Sequence, residues 1–499
     1  MDGIAAGFST LLMIIVFCLT GFTLFFKKKF TLAESAAAGS VVMIMGFSMI
    51  DQIGFLLGIK VFSAGLEFSA FVASIVYLFK NHLFIRKSFK NSIFFIQQNR
   101  FASTLFFIIW SLMATRAFFA LPETVPILEF TAGFQSAPHL PPLNTLVLGM
   151  CIPHINTGFG NGFFSFFSYL SLGFSTYALA RRYAWPSTAV TVSLVVLSMP
   201  RLIGTGFSAG HEIIPAATTA FAVLEIYRFV EKPHIIDLAL FLSASLFTIA
   251  EAGLGLTIPI ILFILFGVIV FRRHGLIILK ETLYGHRQAV FYMVPPLLIF
   301  AQIPVFAVNI RNGFKWHCFF GYAPFSYNQE GLAGALANLI QYGFQIFRFA
   351  LPLKNLSEWW SAVFTKAAPS GWHTISIFFS KYAVSVSNIL SMSINSRNIG
   401  FGPLAIWLIL PGLVYALVKG PRRLKAMAVG LAGYIYIMAF MVAWHPENIR
   451  FFTPFFSCAG FTVAFLLPPW RLSRFGRKLL QALCGFIFCY GFFLKQWTI

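Results

Sequence analysis

The sequence predicts an all-α polytopic integral membrane protein with about 14 transmembrane helices, because apolar runs of roughly 20 residues recur along the chain. Two further observations agree. Hydrophobic residues make up 58% of the chain and charged residues 10%, with a mean hydropathy of +0.81, which is more apolar surface than one soluble core can hide. The Lys and Arg residues lie between the apolar runs rather than on a soluble domain. A net charge of +21 distributed in this way points to anionic membrane lipids, or to phosphate on a lipid, and away from nucleic acid.

The first apolar run, residues 3–26, is followed by Lys27, Lys28 and Lys29. A signal peptide carries its basic residues ahead of the apolar stretch, so this run is read as a span with the amino terminus outside. Runs at 37–57 and 62–79 lead to a basic loop, 80–100, and these three spans of residues 1–100 are read as accessory. Residues 101–310 hold runs at 101–120, 163–180, 188–203, 213–227, 236–250, 256–271 and 289–310. Segment 311–400 is predicted to face outward, with amphipathic or re-entrant helices at 332–349 and 372–390. Residues 401–499 complete the chain with a four-span bundle at 401–418, 426–443, 451–468 and 479–494.

Alternating these spans from an outside start gathers most Lys and Arg residues on the inner side, as the positive-inside rule requires. Two outer loops stand out against that background. Residues 121–161 contain no Lys or Arg and only two formal charges, Glu123 and Glu129. Residues 204–212 end in His211 and Glu212, where a new apolar run begins. The chain has 15 Asp and Glu residues in all, so acidic loops on one side of a membrane suit the floor of an active site. No Walker loop, dinucleotide fingerprint, HExxH or nucleophile elbow stands in a usable context, which leaves nucleotide-driven transport and hydrolase chemistry without support. Cysteine and histidine spacing matches no zinc motif.

A span ending near Arg116, an acidic outward loop, YALARR (177–182), LSMPR (197–201) and a second acidic loop follow in an order that resembles the bacterial GT-C glycosyltransferases. The likeness is to protein-mannosyltransferase-like and aminoarabinose-transferase-like members. Near the carboxyl end, FGPL (401–404), GPRR (420–423) and WHPENIRFFTP (444–454) look like that group's last spans, where Arg-aromatic-x-x-Pro recurs. The resemblance covers residues 101–470. It implies a GT-C-like core, a polyprenyl-phosphate-linked sugar as donor, a lipid or glycan as acceptor, and transfer on the outer face of a bacterial plasma membrane. It also implies an acid in the first outward loop and another two spans later, positions that Glu123 and Glu212 match. The first is Glu where relatives usually carry Asp, and apolar residues replace the Tyr-His pair common after it.

The chemistry accounts for those residue types. An acceptor hydroxyl needs a carboxylate to take its proton, and a departing lipid phosphate needs Arg, Lys or a divalent cation beside it. Glu123 is the expected base, with Glu129 and Glu212 as further catalytic candidates. Arg450, Arg201, Arg116 and His211 are the expected substrate-binding groups, and Glu123 and Glu212 would ligate a divalent cation, the one cofactor this chemistry leaves open. Each residue also has a structural alternative: a hydrated acid at a helix end for Glu123, a buried partner of Arg116 for Glu129, a helix-dipole contact for Glu212, and snorkelling for the arginines. Two other classes compete: a lipid-linked-oligosaccharide flippase or transporter, which would show broken helices and polar residues at mid-membrane, and an outer-face glycan polymerase or ligase. The charge asymmetry makes a direct prediction. Single cysteines at Ser136 and Ser357, in a cysteine-free background, should react with an impermeant thiol reagent in intact spheroplasts; labelling only after lysis would reverse the topology.

Overall fold

The computed structural model describes residues 2–56, 60–120, 162–206, 213–251, 275–288, 290–291, 331–347, 400–467 and 473–494, with single residues at 267, 314 and 328. Its helices follow the apolar runs, since a chain in lipid must satisfy each backbone N–H and C=O internally. They are α1 (Asp2–Lys27), α2 (Leu32–Leu56), α3 (Lys60–Lys80), α4 (His82–Gln98), α5 (Arg100–Phe118), α6 (Phe163–Ala180), α7 (Pro186–Leu197), α8 (Pro200–Gly206), α9 (Ile213–Glu231), α10 (Ile235–Glu251) and α11 (Gly275–Gly285). After α12 (Gly331–Phe347), a π-helical turn Ala405–Ile409 runs into α13 (Leu410–Lys419). Then come α14 (Arg422–Met441), a 3-10 segment Pro446–Phe452, α15 (Thr453–Ala459), α16 (Val463–Leu466) and α17 (Arg474–Leu494).

Among the described residues, 7 helices are long and apolar enough to cross a membrane, or 8 if the bent pair α7 and α8 counts as one span. They are Gly7–Lys27, Leu32–Ile50, Arg100–Phe118, Phe163–Ala180, Ile213–Glu231, Arg422–Met441 and Asn448–Leu466. Two shorter apolar helices, Ile235–Ile249 and Ala405–Lys419, stand where spans were expected. The expected spans at 256–271 and 289–310 fall almost wholly outside the described residues. The chain is thus a helical polytopic membrane protein with 7 to 8 candidate spans, and the larger number read from the sequence is not reached in the part described.

Two local departures from the sequence reading have clear causes. The run at 188–203 is not one span, because the chain bends by 74° between α7 and α8. Pro200 has no N–H to donate and its ring would strike the carbonyl four residues earlier, so α7 closes at Ser198 and the helix restarts at the proline. The basic loop at 80–100 is helical over His82–Gln98.

The centre of the bundle is α6 and α9, nearly all of whose side chains are buried. They pack on one another and on α2, with α10 against α9 and α7 against α6. Three contacts between helices answer hydroxyls inside this core: Ser193 donates to Gly173 O at 2.8 Å, Thr218 and Thr248 meet at 2.7 Å, and Gln481 donates to Thr191 at 2.8 Å. The α1–α2 crossing depends on glycine. A Cβ on Gly39 would lie 2.7 Å from both Cys18 O and Phe22 N, so the two backbones meet where no larger residue fits.

One end of the bundle is tied by charge. Glu34, buried at the start of α2, accepts from Arg182 at 3.0 Å with one oxygen and from Arg228 at 2.5 Å with the other. Arg182, in the turn between α6 and α7, also pairs with Glu231 at 2.9 Å, and Arg228 reaches Asp237 of α10 at 3.3 Å while lying over the Phe30 ring. Burial opposes the Arg182 charge, but Glu231 and Glu34 outweigh it and hold its pKa above the usual guanidinium value. Lys27 donates to Asn81 nearby. Turns that the charge pattern predicts on the inner side therefore share one end. Removing one member of a buried pair strands the other's charge, so Glu34→Gln should cost about 3–5 kcal/mol. Glu231→Gln, with its side chain 37% exposed, should cost about 1 kcal/mol or less. Unfolding of the two variants in detergent checks the ordering, and equal losses would deny Glu34 its central place.

Candidate functional site

The opposite end of the bundle is where the two acidic loops leave and re-enter the helices. Gly162 N donates to Ala117 O at 3.2 Å, so the start of α6 is fastened to the last turn of α5. Gly206, the last residue of α8, fits against the same region: a Cβ there would lie 2.7 Å from the Met113 methyl and 2.8 Å from the Tyr169 ring. The chain ends that bound both loops are thus neighbours. Glu123, Glu129, His211 and Glu212 themselves lie outside the described residues.

The three arginines singled out from the sequence occupy three separate elements here. Arg116 is half-buried in the last turn of α5, and Arg201 is buried in the first turn of α8, 1% exposed. Arg450 is half-buried on the 3-10 segment. Its guanidinium lies over the Phe451 ring at 5.0 Å, and its buried Nε has no hydrogen-bond partner among the described residues. The backbone beneath it is held firmly. Ile449 and Phe452 are buried wedges, Phe452 packs on Tyr342 with ring centroids 4.7 Å apart, and the Tyr434 hydroxyl donates to Phe451 O. Asn448 donates to Ala443 O at 3.1 Å, which closes the turn leading in. Pro454 then starts α15 without wasting a donor.

Two asparagines build the platform next to this arginine. The last four carbonyls of a helix have no partner inside it, and lipid offers none. For α14 those carbonyls are met from outside. Asn338 Nδ2 donates to Ala439 O and Val442 O, both at 2.9 Å, while its Oδ1 accepts from Trp444 N at 2.9 Å. Asn328 donates through Nδ2 to Phe440 O at 3.0 Å and through its backbone N to Met441 O at 3.1 Å. Gln345, one face along α12, accepts from the Trp444 indole at 3.2 Å. These amides were not among the residues singled out from sequence. Their signal was available: Asn338, Gln341 and Gln345 recur on one face of α12 and are all buried, while Leu332 and Leu336 are exposed.

No group of three or more His, Cys, Asp or Glu side chains suited to a metal ion occurs among the described residues. Glu123 and Glu212, the expected cation ligands, lie outside them. What the described residues hold, then, is a fixed, half-buried cation with a donor unmet among them, and separately a set of adjoining chain ends that bound two acid-bearing segments. No protein-family model, curated protein or solved structure matches the chain. The platform can be tested. Asn338→Leu strips two carbonyls and one N–H of their partners at once, so stability should fall by at least about 2 kcal/mol at 1–3 kcal/mol per stranded group. Hydrogen exchange should speed up first at residues 439–444, and a variant with unchanged exchange there would show that the cap carries no weight.

Proposed function

We propose that this chain is a membrane glycosyltransferase that moves a sugar from a polyprenyl-phosphate donor to a lipid or glycan acceptor at the outer face of a bacterial plasma membrane. The observation that carries the proposal is Arg450. A planar guanidinium half out of water, fixed by a wedged backbone and with a donor unmet among the described residues, suits two oxygens of an anion such as a lipid phosphate. In the reaction, an acceptor hydroxyl attacks the anomeric carbon and its proton passes to the Glu123 carboxylate. The bond from that carbon to the phosphate oxygen breaks, and the released phosphate keeps the electron pair as negative charge beside Arg450. Glu129 and Glu212 are the alternative bases, and Arg116, Arg201 and His211 complete the substrate-binding set.

A flippase or transporter is the second reading, favoured by one specific observation. The bundle contains interrupted helices: the 74° break between α7 and α8, the π-helical turn before α13, and a 3-10 turn, Gly460–Thr462, between α15 and α16. Discontinuous helices of this kind line substrate paths in transporters.

Reconstituted protein separates the two. With a polyprenyl-phosphate sugar as donor, Glu123→Gln should lower the transfer rate by about 10²–10⁴-fold while leaving donor binding unchanged. Arg450→Lys, which keeps the charge but loses the fork, should weaken donor binding instead. Normal transfer by Glu123→Gln, Glu129→Gln and Glu212→Gln alike would end the reading of a loop carboxylate as base. Movement of labelled donor lipid across the bilayer, without transfer, would install the flippase in its place.

A further inference from the structure

Helix α4 lies across the end of the bundle where Lys27 sits, and both its neighbours in sequence, α3 and α5, run into the bundle from there. One face of α4 is committed to the protein. Phe84 packs on Phe26 of α1 at 5.4 Å between ring centroids, and Phe95, on the same helical face, packs edge-on against Tyr177 of α6 at 5.7 Å. The helix is therefore strapped at both ends and cannot lift away from the bundle.

Its other face is exposed and mixed. Leu83 is 68% exposed, Ile93 52% and Ile96 50%, and the cations Arg86 and Lys90 share that side one turn apart. Lys80 and Arg100, also exposed, stand at the two ends of the helix. Among the described residues no carboxylate pairs with any of these four cations. None is close in sequence either, because there is no Asp or Glu between Glu67 and Glu123. A face meant for water would not carry three bare aliphatic side chains, and one meant for acyl chains would not carry unpaired cations. The two together fit the headgroup layer, where aliphatic groups enter the acyl boundary and long cationic side chains reach up to phosphate.

We propose that α4 lies in the headgroup layer of one leaflet and binds the phosphates of anionic phospholipids through Arg86 and Lys90, with Lys80 and Arg100 flanking them. This surface is at the opposite end of the bundle from Arg450 and is independent of the proposed transfer reaction. The occupant is identified by chemistry: fixed positive charge with no counter-ion among the described residues, set among aliphatics at the level where the apolar helices end, is complementary to a negatively charged leaflet.

The test uses the full-length protein in nanodiscs. Ile93→Cys, in a background free of other cysteines, carries a bimane label, and quenching is measured with spin-labelled headgroups of phosphatidylglycerol or phosphatidylcholine. The label should be quenched by both lipids if α4 lies in the headgroup layer, and more by phosphatidylglycerol if its cations bind anionic lipid. Each cation is worth about fivefold in local enrichment of an anionic lipid, so Arg86→Gln with Lys90→Gln should bring the two lipids close to parity. Added salt should have the same effect on the parent protein, which keeps the proposal testable if the double variant fails to fold. Absence of quenching by either lipid would put α4 in water or against another protein, and equal quenching by both in the parent would make it an apolar strap with no headgroup preference. Either result overturns the proposal.

Discussion

The buried carboxylate of Glu34 is the constraint on which one end of this bundle depends. A carboxylate taken out of water loses its hydration, and only well-placed partners of opposite charge offset that loss. Glu34 meets the requirement with two guanidiniums from distant parts of the chain, Arg182 and Arg228. Those arginines are themselves largely shielded from water and need more than one acceptor, which Glu231 and Asp237 supply. The same few charges thereby fix α2, the α6–α7 turn, α9 and the start of α10 to one another. Apolar contact alone is non-directional and would let such helices slide, whereas a hydrogen-bonded ionic cluster accepts one register.

At the other end the constraint is the backbone rather than the side chains. A helix that stops inside an apolar layer must find acceptors and donors for its last turn, and α14 finds them in Asn328 and Asn338. That capping has a consequence for chemistry. It fixes the path of residues 442–452, and so holds Arg450 half-buried with a donor unmet among the described residues. A cation positioned by a capped helix end and two buried wedges loses little freedom when an anion arrives, which is the condition for tight and oriented phosphate binding.

The functional proposal accordingly joins two kinds of observation. The acids come from sequence order, and the structure adds that the chain ends bounding both acidic loops are adjacent, through Gly162 on Ala117 and Gly206 against Met113 and Tyr169. Arg450 was singled out from its place in WHPENIRFFTP, and the structure adds its burial and the supports around it. The interrupted helices were expected only for the transporter class, and their presence is why that class stays as the second reading.

Much of this was legible in the sequence, for a definite reason. Hydropathy and charge act residue by residue, so the helical polytopic class, most helix positions and the grouping of basic turns at one end follow from composition and spacing. The proline break could also have been read, since Pro200 carries its effect in its own ring. What only the tertiary structure decided involves pairs far apart in the chain. No local pattern says that Glu34 belongs to Arg182 and Arg228, 148 and 194 residues on, or that Asn338 caps a helix ending about a hundred residues later. Nor does a basic stretch at 80–100 announce itself as a helix strapped by Phe84 and Phe95. Such groups acquire their partners only when the helices pack, because burial is what turns a soluble charge or amide into one that must be answered.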